Sequence, residues 1–479
     1  MDASVDAVTK VNDIYWYGVI VLLVGLGLYF TVWSRFVQIR LLPDMLRSVI
    51  ERAETLPDGT KGISAFRAFS ISASRVGTGN IVGVGIAISM GGPGAVFWMW
   101  AMAIIGAATA FVESTLAQVY KVRDRDGFRG GPAYYMQYGL RRRWMGVIFA
   151  VVITLTYGFV FNALQTNSIV DAASTSIGFE GSGPAALVGV VVAVLTAAVI
   201  FGGVRRISGV TQIVVPLVAL AYIVLGLLVV ALNLGEVPRM FQLIVENAFG
   251  FQEVVGGGFA AAFMHGIRRG LFSNEAGMGS APNAAATAAV SHPVKQGLVQ
   301  SLGVYFDTLL VCSVTAFIIL LSNPEYGTTA GASLTQNALA AELGGWTVHF
   351  LAVAIFFLAF TSVVGNYYYG EANIEFLTGS RGVLQGFRVL VVVCVFAGAV
   401  GSLPLVWGLA DLFMGVMATV NLIALAPLSG VAFALFTHYT RQRAQGIDPV
   451  FHRADLPEVR GVQVWGSVDP KVPAKRLPG

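Results

Sequence analysis

Long apolar runs separated by short polar segments extend over most of the chain. Residues 14–34 carry no charge, and neither do residues 76–112, which Gly91-Gly92-Pro93-Gly94 divide into two shorter runs. A helix needs about 20 mostly apolar residues to cross a bilayer, and a Gly-Pro cluster interrupts a helix. The pattern predicts eleven membrane-spanning helices, the later ones at about 144–170, 183–204, 209–233, 254–289, 296–321, 344–377, 387–405 and 407–438.

The lysines and arginines between these runs predict how the helices are oriented. The segments after odd-numbered runs are basic, whereas those after even-numbered runs contain one basic residue, Arg239. Because cytoplasmic loops carry an excess of lysine and arginine, we expect an integral plasma (inner) membrane protein with its N-terminus outside and its C-terminus in the cytoplasm. The flank before residue 14 lacks the basic character of a signal peptide, which predicts a retained first helix.

The composition excludes several classes of protein. Hydrophobic residues make up 56% of the chain and charged residues 12%, about half the charged share of a soluble domain. A water-soluble enzyme, a disordered chain and a nucleic-acid binder are therefore excluded. Neither a Gly-Lys-Ser phosphate loop nor a His-Glu-x-x-His motif occurs, so no enzyme activity is expected. The expected surroundings are membrane lipid, and no obligate protein partner is evident.

Two of the predicted helices contain helix-poor residues near their middle. One holds Gly77-Thr78-Gly79-Asn80, and the other holds a Gly-, Ser- and Asn-rich stretch at 270–283. Backbone polar groups in a bilayer must be paired within the protein, so such interruptions need a reason. Close helix packing through glycine is one explanation. A transporter site at the midplane, formed by two interrupted helices, is the other.

The spacing of the interruptions favours the transporter. Each interrupted helix is the first of a group of five predicted helices. Because five is an odd number of crossings, the second group has the opposite orientation in the membrane, as in inverted-repeat transporters. The predicted organisation is an N-terminal extra helix and basic loop at 1–65, a first repeat at 66–235, a second at 236–440 and a cytoplasmic tail at 441–479. An ion channel, which usually repeats a filter loop around a pore, and an amino-acid sensor are the alternatives of another class.

Several motifs resemble those of the alanine or glycine:cation symporter family over roughly residues 14–440. They are Gly77-Thr78-Gly79-Asn80 and the segments 111–118, 130–136, 268–277 and 365–371. The resemblance implies an all-α, LeuT-type membrane fold of two inverted five-helix repeats with two unwound helices. It also implies sodium-coupled, sometimes proton-coupled, uptake of small neutral amino acids such as alanine or glycine.

The same resemblance implies a set of substrate-binding residues. The backbone amides of Thr78 and Gly79 would hold the substrate carboxylate, and the Asn80 side chain would orient the amino acid. For Gln165, an ordinary interhelical hydrogen bond is the alternative, and for Met278 it is core packing. The complete implied set is Thr78, Gly79, Asn80, Gln165, Phe272, Gly277, Met278 and Asn366.

For sodium, the resemblance implies a site of oxygen ligands between the first interrupted helix and the ninth predicted span. The ligands would be the carbonyls of Ala73 and Val76 with the hydroxyls of Thr361 and Ser362. Sodium would act as the coupling ion and not as a prosthetic group. The hydroxyls of a Thr-Ser pair in a membrane helix also commonly donate hydrogen bonds to backbone carbonyls of the same helix. A purely structural role for Thr361 and Ser362 is therefore the alternative.

Two residues depart from the pattern of many relatives. Arg75 precedes the glycine run, where it would pair with a carboxylate or weaken the neighbouring sodium site electrostatically. Asn366 stands where many relatives carry tryptophan. Since asparagine is smaller and polar, a glutamine-preferring or proton-coupled member of the family is the alternative to an alanine or glycine carrier.

Ionisable residues inside the predicted spans are candidates for function because a lone charge in a bilayer is costly. We expect Arg268 or Arg269 to pair with Glu275 or another acid of the second interrupted helix, as a structural lock or as part of the site. Glu113 and Asp307 are candidates for carrying protons.

Overall fold

The protein is seen in a computed structural model that describes residues 2–51, 53, 63–72, 77–124, 127–202, 205–250, 258–324, 326–327 and 331–466. These residues are almost entirely helical. The first ten α-helices are α1 Asp2–Trp33, α2 Val37–Arg40, α3 Leu42–Val49, α4 Ala65–Ser72, α5 Val84–Gly91, α6 Gly94–Val119, α7 Pro132–Tyr138, α8 Arg143–Leu155, α9 Asn162–Ile177 and α10 Ser182–Gly202. The others are α11 Arg205–Leu232, α12 Val237–Ala248, α13 Gly258–Asn274, α14 Ala281–Ala285, α15 Pro293–Val304, α16 Ser313–Leu321, α17 Ala332–Leu343, α18 Trp346–Leu377, α19 Arg381–Val400 and α20 Leu403–Ala444.

Three π-helical turns run directly into α-helices. Gly79–Gly83 leads into α5, Thr156–Phe161 joins α8 to α9, and Tyr305–Cys312 joins α15 to α16. A π turn shifts the hydrogen-bond ladder by one residue and is frequent at functional sites. The turn at Gly79–Gly83 lies in the first interruption predicted from the sequence.

Within the described residues, eight helices are long and apolar enough to cross a membrane, and a ninth crossing is formed if the bent pair Pro216–Leu232 and Val237–Ala248 counts as one. Their positions follow eight of the predicted apolar runs. The two interrupted segments are shorter and irregular: Gly79–Gly91 is a short apolar helix, and α13 ends at Asn274 before α14 resumes at Ala281. The all-helical membrane fold is thus confirmed, and the count of eleven crossings stays a prediction.

The long helices pack into two groups around the interrupted segments. In one group, α6 packs against α13 and α15, and α1 packs against α6 and α20. In the other, α9 packs against α18 and α19, and α10 packs against α19. This second group has its own apolar core, which includes Val192, Val363 and Val391. The two groups meet where α20 contacts α8 and α9.

The apolar pattern did not predict several short elements. Helices α12 and α17 lie in segments expected to be loops, and α7 and a small antiparallel hairpin, Val122–Asp124 with Gly127–Arg129, follow α6. Each is too short or too polar to register as an apolar run. The last helix also begins at Leu403, with Pro404 in its first turn, a few residues before the predicted boundary. Proline favours the first turn of a helix and was the overlooked signal.

The tail beyond α20 packs against the helices as a strap, residues 446–466. Phe451, Val459 and Val462 are buried. The Trp465 indole donates to the carbonyl of Gln118 at the end of α6, 3.0 Å away. The strap therefore ties the ends of distant helices together.

Ion pairs join the strap to two other segments. The Lys295 ammonium lies 2.5 Å from Glu51 Oε1 and 2.8 Å from Asp448 Oδ1, and it is almost fully buried. One lysine thus connects α15, the segment after α3 and the strap.

Replacing Phe451 by alanine is expected to destabilise the protein by about 3–5 kcal/mol, the usual cost of removing a buried phenylalanine ring. Thermal unfolding of the purified protein in detergent measures this loss. Glu458→Ala, on the exposed side of the same strap, is the matched control and should leave the midpoint unchanged. Equal midpoints for both variants would contradict the packing of the strap.

Candidate functional site

A small cavity lies between the two interrupted segments. Its volume is about 20 Å³, room for about one water molecule. It sits where the first interruption, the second interruption, α9 and α18 converge. The lining residues are Gly77, Gly79, Phe161, Gln165, Phe272, Glu275, Ser362 and Asn366. Five of them, Gly79, Gln165, Phe272, Ser362 and Asn366, belong to the sites expected from the sequence.

Asn80 holds the first interruption in place from behind the cavity. Its Oδ1 accepts the backbone N–H of Gly77 at 3.1 Å, capping the irregular turn. Its Nδ2 donates to Ser273 Oγ at 3.3 Å and to the carbonyl of Asp307 at 3.1 Å. Asn80 is fully buried and does not line the cavity, so it connects the two interrupted helices with the π turn that contains Asp307.

Thr78 and Gln165 connect the first interruption to α9. The Thr78 hydroxyl donates to Gln165 Oε1 over 2.9 Å. Gln165 therefore makes an interhelical hydrogen bond and also lines the cavity, and its role in binding substrate stays a prediction. Thr78 itself is fully buried behind the lining.

The second interruption, residues 275–280, is stabilised by side chains from α6 and α20. The backbone N–H of Gly277 donates to Glu113 Oε1 at 3.2 Å. The Asn421 amide donates to Glu113 Oε2 at 3.0 Å and to the Gly277 carbonyl at 2.9 Å, and Tyr135 donates its hydroxyl to Asn421 Oδ1. Peptide groups freed by the break are thereby paired inside the protein, as a bilayer requires.

Gly277 faces these supporting helices, and its neighbour Met278 is buried. Gly277 has φ +92°, a backbone conformation that favours glycine. A Cβ atom there would lie 3.2 Å from Thr109 of α6 and 3.4 Å from Leu422 of α20. Met278 is fully buried in the main apolar core. Both residues lie outside the cavity lining, and Gly277 belongs to the brace of the break through its bonds to Glu113 and Asn421.

Phe272 forms one wall of the cavity. Its ring centroid lies 5.2 Å from that of Phe161 and 5.2 Å from that of Trp407. A Cβ atom on Gly79 would come within 2.9 Å of the Phe272 ring. Only glycine at position 79 lets the aromatic ring approach the first interruption this closely.

A buried ion pair lies behind the Phe272 ring. Arg269, almost fully buried, forms a salt bridge with Asp411 of α20. Its guanidinium carbon stands 4.9 Å from the centre of the Trp407 ring. Phe272 thus separates the cavity from a layer in which a cation stacks on an aromatic ring.

The prediction that Arg268 or Arg269 pairs with Glu275 or another acid of the second interrupted helix was wrong. Arg269 reaches Asp411, and Arg268 reaches Asp13 of α1, with 3.7 Å between Arg268 Nη2 and Asp13 Oδ1. Glu275 instead accepts the Ser280 hydroxyl at 2.6 Å and lines the cavity. The arginines extend from α13 toward the first and last helices, and sequence distance gave no hint of those partners.

The residues proposed for sodium are only partly within the described structure. Ala73 and Val76, with the neighbouring Arg75, lie outside the described residues. Thr361 donates to the carbonyls of Phe357 and Leu358 within its own helix at 3.0 and 2.9 Å.

Ser362 is one of the residues that line the cavity. Its hydroxyl donates to the Leu358 carbonyl at 3.0 Å. A hydroxyl that donates its proton to a carbonyl still presents lone pairs, the kind of ligand a hard cation takes. The chemistry of Thr361 and Ser362 therefore fits a sodium site.

Sequence reasoning missed Phe161 and the placement of Glu275 in the lining, and it did not assign the brace formed by Glu113 and Asn421. The isolated acid Glu113 inside an apolar run was the available signal. Its brace partners lie 164 and 308 positions away in the chain. Partners at such separations become visible only when the helices are packed.

Comparison with known proteins gives a consistent result. Residues 1–453 match the sodium:alanine symporter family. The chain is 51% identical to the amino-acid carrier protein AlsT of Bacillus subtilis (strain 168), over 95% of this chain and 96% of that protein. It is 50% identical to the probable sodium/glutamine symporter GlnT of the same organism, over 96% of each chain. It is 39% identical to the sodium/alanine symporter AgcS of Methanococcus maripaludis, over 89% and 95%.

A solved structure shares the fold. The crystal structure of MhsT in complex with L-phenylalanine has a TM-score of 0.53, covering 79% of this chain and 99% of that one, at 12% sequence identity. At this identity the likeness concerns the fold alone.

Removing the Glu113 brace is expected to destabilise the second interruption. Glu113→Ala leaves the Gly277 N–H and the Asn421 amide without this acceptor, and a buried unsatisfied polar group costs about 1–3 kcal/mol. Thermal unfolding in detergent should show a clear loss for Glu113→Ala and a smaller one for Glu113→Gln, which retains one acceptor. Unchanged stability in both variants would contradict the brace.

Replacing Gly79 by alanine is expected to weaken ligand binding at the cavity at least about tenfold, because the Phe272 ring must move and overpacking typically costs 1–3 kcal/mol. Gly83→Ala is the matched control: its Cβ would lie 3.7 Å from Phe272 and Trp407, an ordinary contact. Equilibrium binding of labelled amino acid to both purified variants makes the comparison. If they bind equally, Phe272 does not form a fixed wall.

Proposed function

The chain belongs to the sodium:alanine symporter family, and on that premise we propose that it takes up small neutral amino acids, such as alanine or glycine, by sodium-coupled symport. The observation that carries the proposal is the cavity between two interrupted helices, lined by backbone of the first and by polar side chains of α9 and α18. Symporters with inverted repeats place their substrate between such helices.

The substrate carboxylate would bind at the first interruption. The helix that runs from Gly79 to Gly91 begins there, and the N-terminus of a helix carries partial positive charge and unpaired N–H groups. The amides of Thr78 and Gly79 are the proposed donors. Asn80 would position this turn through its own hydrogen bonds.

The other proposed contacts follow from the cavity wall. Gln165, Phe272 and Asn366 already line the cavity, and Gly277 and Met278 would reach the substrate only after the second interruption shifts. A volume of about 20 Å³ is too small for an amino acid, so binding requires the walls to separate. Alternating access supplies that movement: the cavity opens to one side of the membrane and then to the other.

Sodium would bind at the carbonyls of Ala73 and Val76 and the hydroxyls of Thr361 and Ser362. This site would join the first interrupted helix to α18. By linkage, sodium then tightens amino-acid binding by the same factor by which the amino acid tightens sodium binding.

The proposed topology has eleven crossings in a LeuT-type arrangement of two inverted five-helix repeats after one extra helix. The support is the set of long apolar helices, the two interrupted segments and the likeness to MhsT. The alternation of basic segments supports a plasma-membrane protein with the N-terminus outside and the C-terminus in the cytoplasm.

Asn366 favours glutamine as a second candidate substrate. It lines the cavity, and within the part of the chain that the structure describes its Nδ2 has no hydrogen-bond partner. A buried amide left unpaired is costly, so a ligand that accepts from it gains affinity. The side-chain carbonyl of glutamine is such an acceptor. The relative named as a probable sodium/glutamine symporter agrees with this reading.

Uptake of labelled alanine into proteoliposomes under an inward sodium gradient tests the proposal, with glycine, serine and glutamine as competitors and a proton gradient as control. Sodium-dependent accumulation is expected. Accumulation under a proton gradient but not under a sodium gradient would mean that the coupling ion is the proton. An ion current without amino acid would indicate a channel, and binding without transport would indicate a sensor.

The Asn366→Trp variant tests the side-chain pocket in the same assay. Tryptophan fills the space and removes the amide, so glutamine should lose at least about tenfold in competition while alanine competes nearly as before. Equal losses for both ligands would remove Asn366 from the determinants of selectivity.

A further inference from the structure

Resting on the proposed function, we propose that Glu275 binds the ammonium group of the substrate. The amino acid would then lie across the cavity, with its carboxylate at the first interruption and its ammonium group at the second. Selection for an amino acid, in preference to a carboxylic acid without an amine, would depend on this glutamate.

The first observation is the position of the carboxylate. Of the eight lining residues that the structure describes, Glu275 is the one with an ionisable side chain. A cation that leaves water needs a counter-charge at close range in a low-dielectric site. The Glu275 carboxylate supplies that counter-charge at the cavity wall.

The second observation is the direction of the helices that end at the cavity. Helix α13 ends at Asn274, one residue before Glu275, and the C-terminus of a helix carries partial negative charge. The helix from Gly79 to Gly91 starts on the other side with partial positive charge. The cavity is therefore electrically polarised in the sense that suits a zwitterion.

The third observation is how firmly the glutamate is held. Its Oε2 accepts the Ser280 hydroxyl at 2.6 Å, and its backbone N–H donates to the Leu271 carbonyl at 2.8 Å. Glu275 also has φ +55°, a left-handed conformation that costs a non-glycine residue energy. Glycine would adopt this conformation at a lower energetic cost. A glutamate at this position is therefore explained by a role of its carboxylate and not by the backbone conformation.

The surroundings suit an ammonium group better than a sodium ion. Phe272 and Phe161 line the cavity with Glu275, and aromatic faces attract ammonium groups. Sodium, by contrast, prefers a shell of oxygen ligands, which the hydroxyls and carbonyls proposed above for the ion offer. Carboxylate and aromatic rings together form the kind of site that an amine occupies.

The test compares Glu275→Gln with the wild-type protein at saturating sodium, using labelled alanine and, as competitor, propionate, which keeps the carboxylate but lacks the amine. We expect alanine to bind the variant at least about thirtyfold more weakly while propionate is little changed. The preference for alanine over propionate should therefore fall by a similar factor. A merely structural role would weaken both ligands together.

Glu342→Gln is the matched control. Glu342 lies on α17, where its Oε2 accepts from Asn233 at 2.6 Å, and a glutamine oxygen can replace it. Binding of alanine and propionate to this variant should equal that of the wild-type protein.

A second variant covers the case in which Glu275→Gln does not fold. Glu275→Asp keeps the charge but withdraws it by one methylene, and a roughly tenfold loss of alanine affinity with an unchanged response to propionate is expected. Binding of alanine equal to wild type in either folded variant would overturn the inference.

Sodium supplies the last arm of the experiment. Stabilisation of the protein by sodium without amino acid, read as a thermal shift, should be the same in the Glu275→Gln and wild-type proteins. Loss of the sodium response in the variant would assign Glu275 to the ion and overturn the inference. Failure of the wild-type protein to bind any neutral amino acid would instead contradict the proposed function.

Discussion

Peptide groups freed where a helix breaks inside a bilayer must find partners within the protein, and the centre of this molecule is arranged around that constraint. Asn80 caps the first break and Glu113 with Asn421 supports the second. Because these side chains satisfy the irregular backbone from behind, the inner faces of both breaks stay available to the cavity. The polar residues that the sequence suggests as binding groups are thus of two kinds: some support the breaks, and others line the cavity.

The hydrogen bonds around the first break fall into two sets. Asn80 joins the first break to Ser273 of α13 and to the π turn at Asp307, so these segments form one connected unit. Thr78 and Gln165, by contrast, bridge from that unit to α9, which packs with α18 and α19 around another apolar core. The Thr78–Gln165 bond therefore crosses between the two packed groups, whereas the Asn80 bonds stay within one of them.

The sequence predicted the long helices well because a bilayer imposes both length and apolarity on them. It also located the gap between α13 and α14, because the 270–283 stretch is poor in helix formers. The unwinding predicted at Gly77-Thr78-Gly79-Asn80 adjoins residues 73–76, which lie outside the described residues. Sequence reasoning failed where the outcome depends on tertiary packing. The partner of Arg269 on α20 and the contact of Phe161 with Phe272 join segments far apart in the chain. The strap at 446–466 lies in the segment predicted only as a cytoplasmic tail, and its scattered apolar residues form no periodic pattern that predicts packing.

Arg269 and Asp411 form a salt bridge behind the cavity wall. Their opposite charges determine how the membrane voltage acts on this layer of the protein. A single charge that crosses the whole field changes energy by about 2.3 kcal/mol per 100 mV. An oppositely charged pair that shifts as one body transports no net charge, so this layer can rearrange without electrical work. On the proposed function, the permeating cation carries charge through the membrane field, whereas an amino acid that travels as a zwitterion carries none.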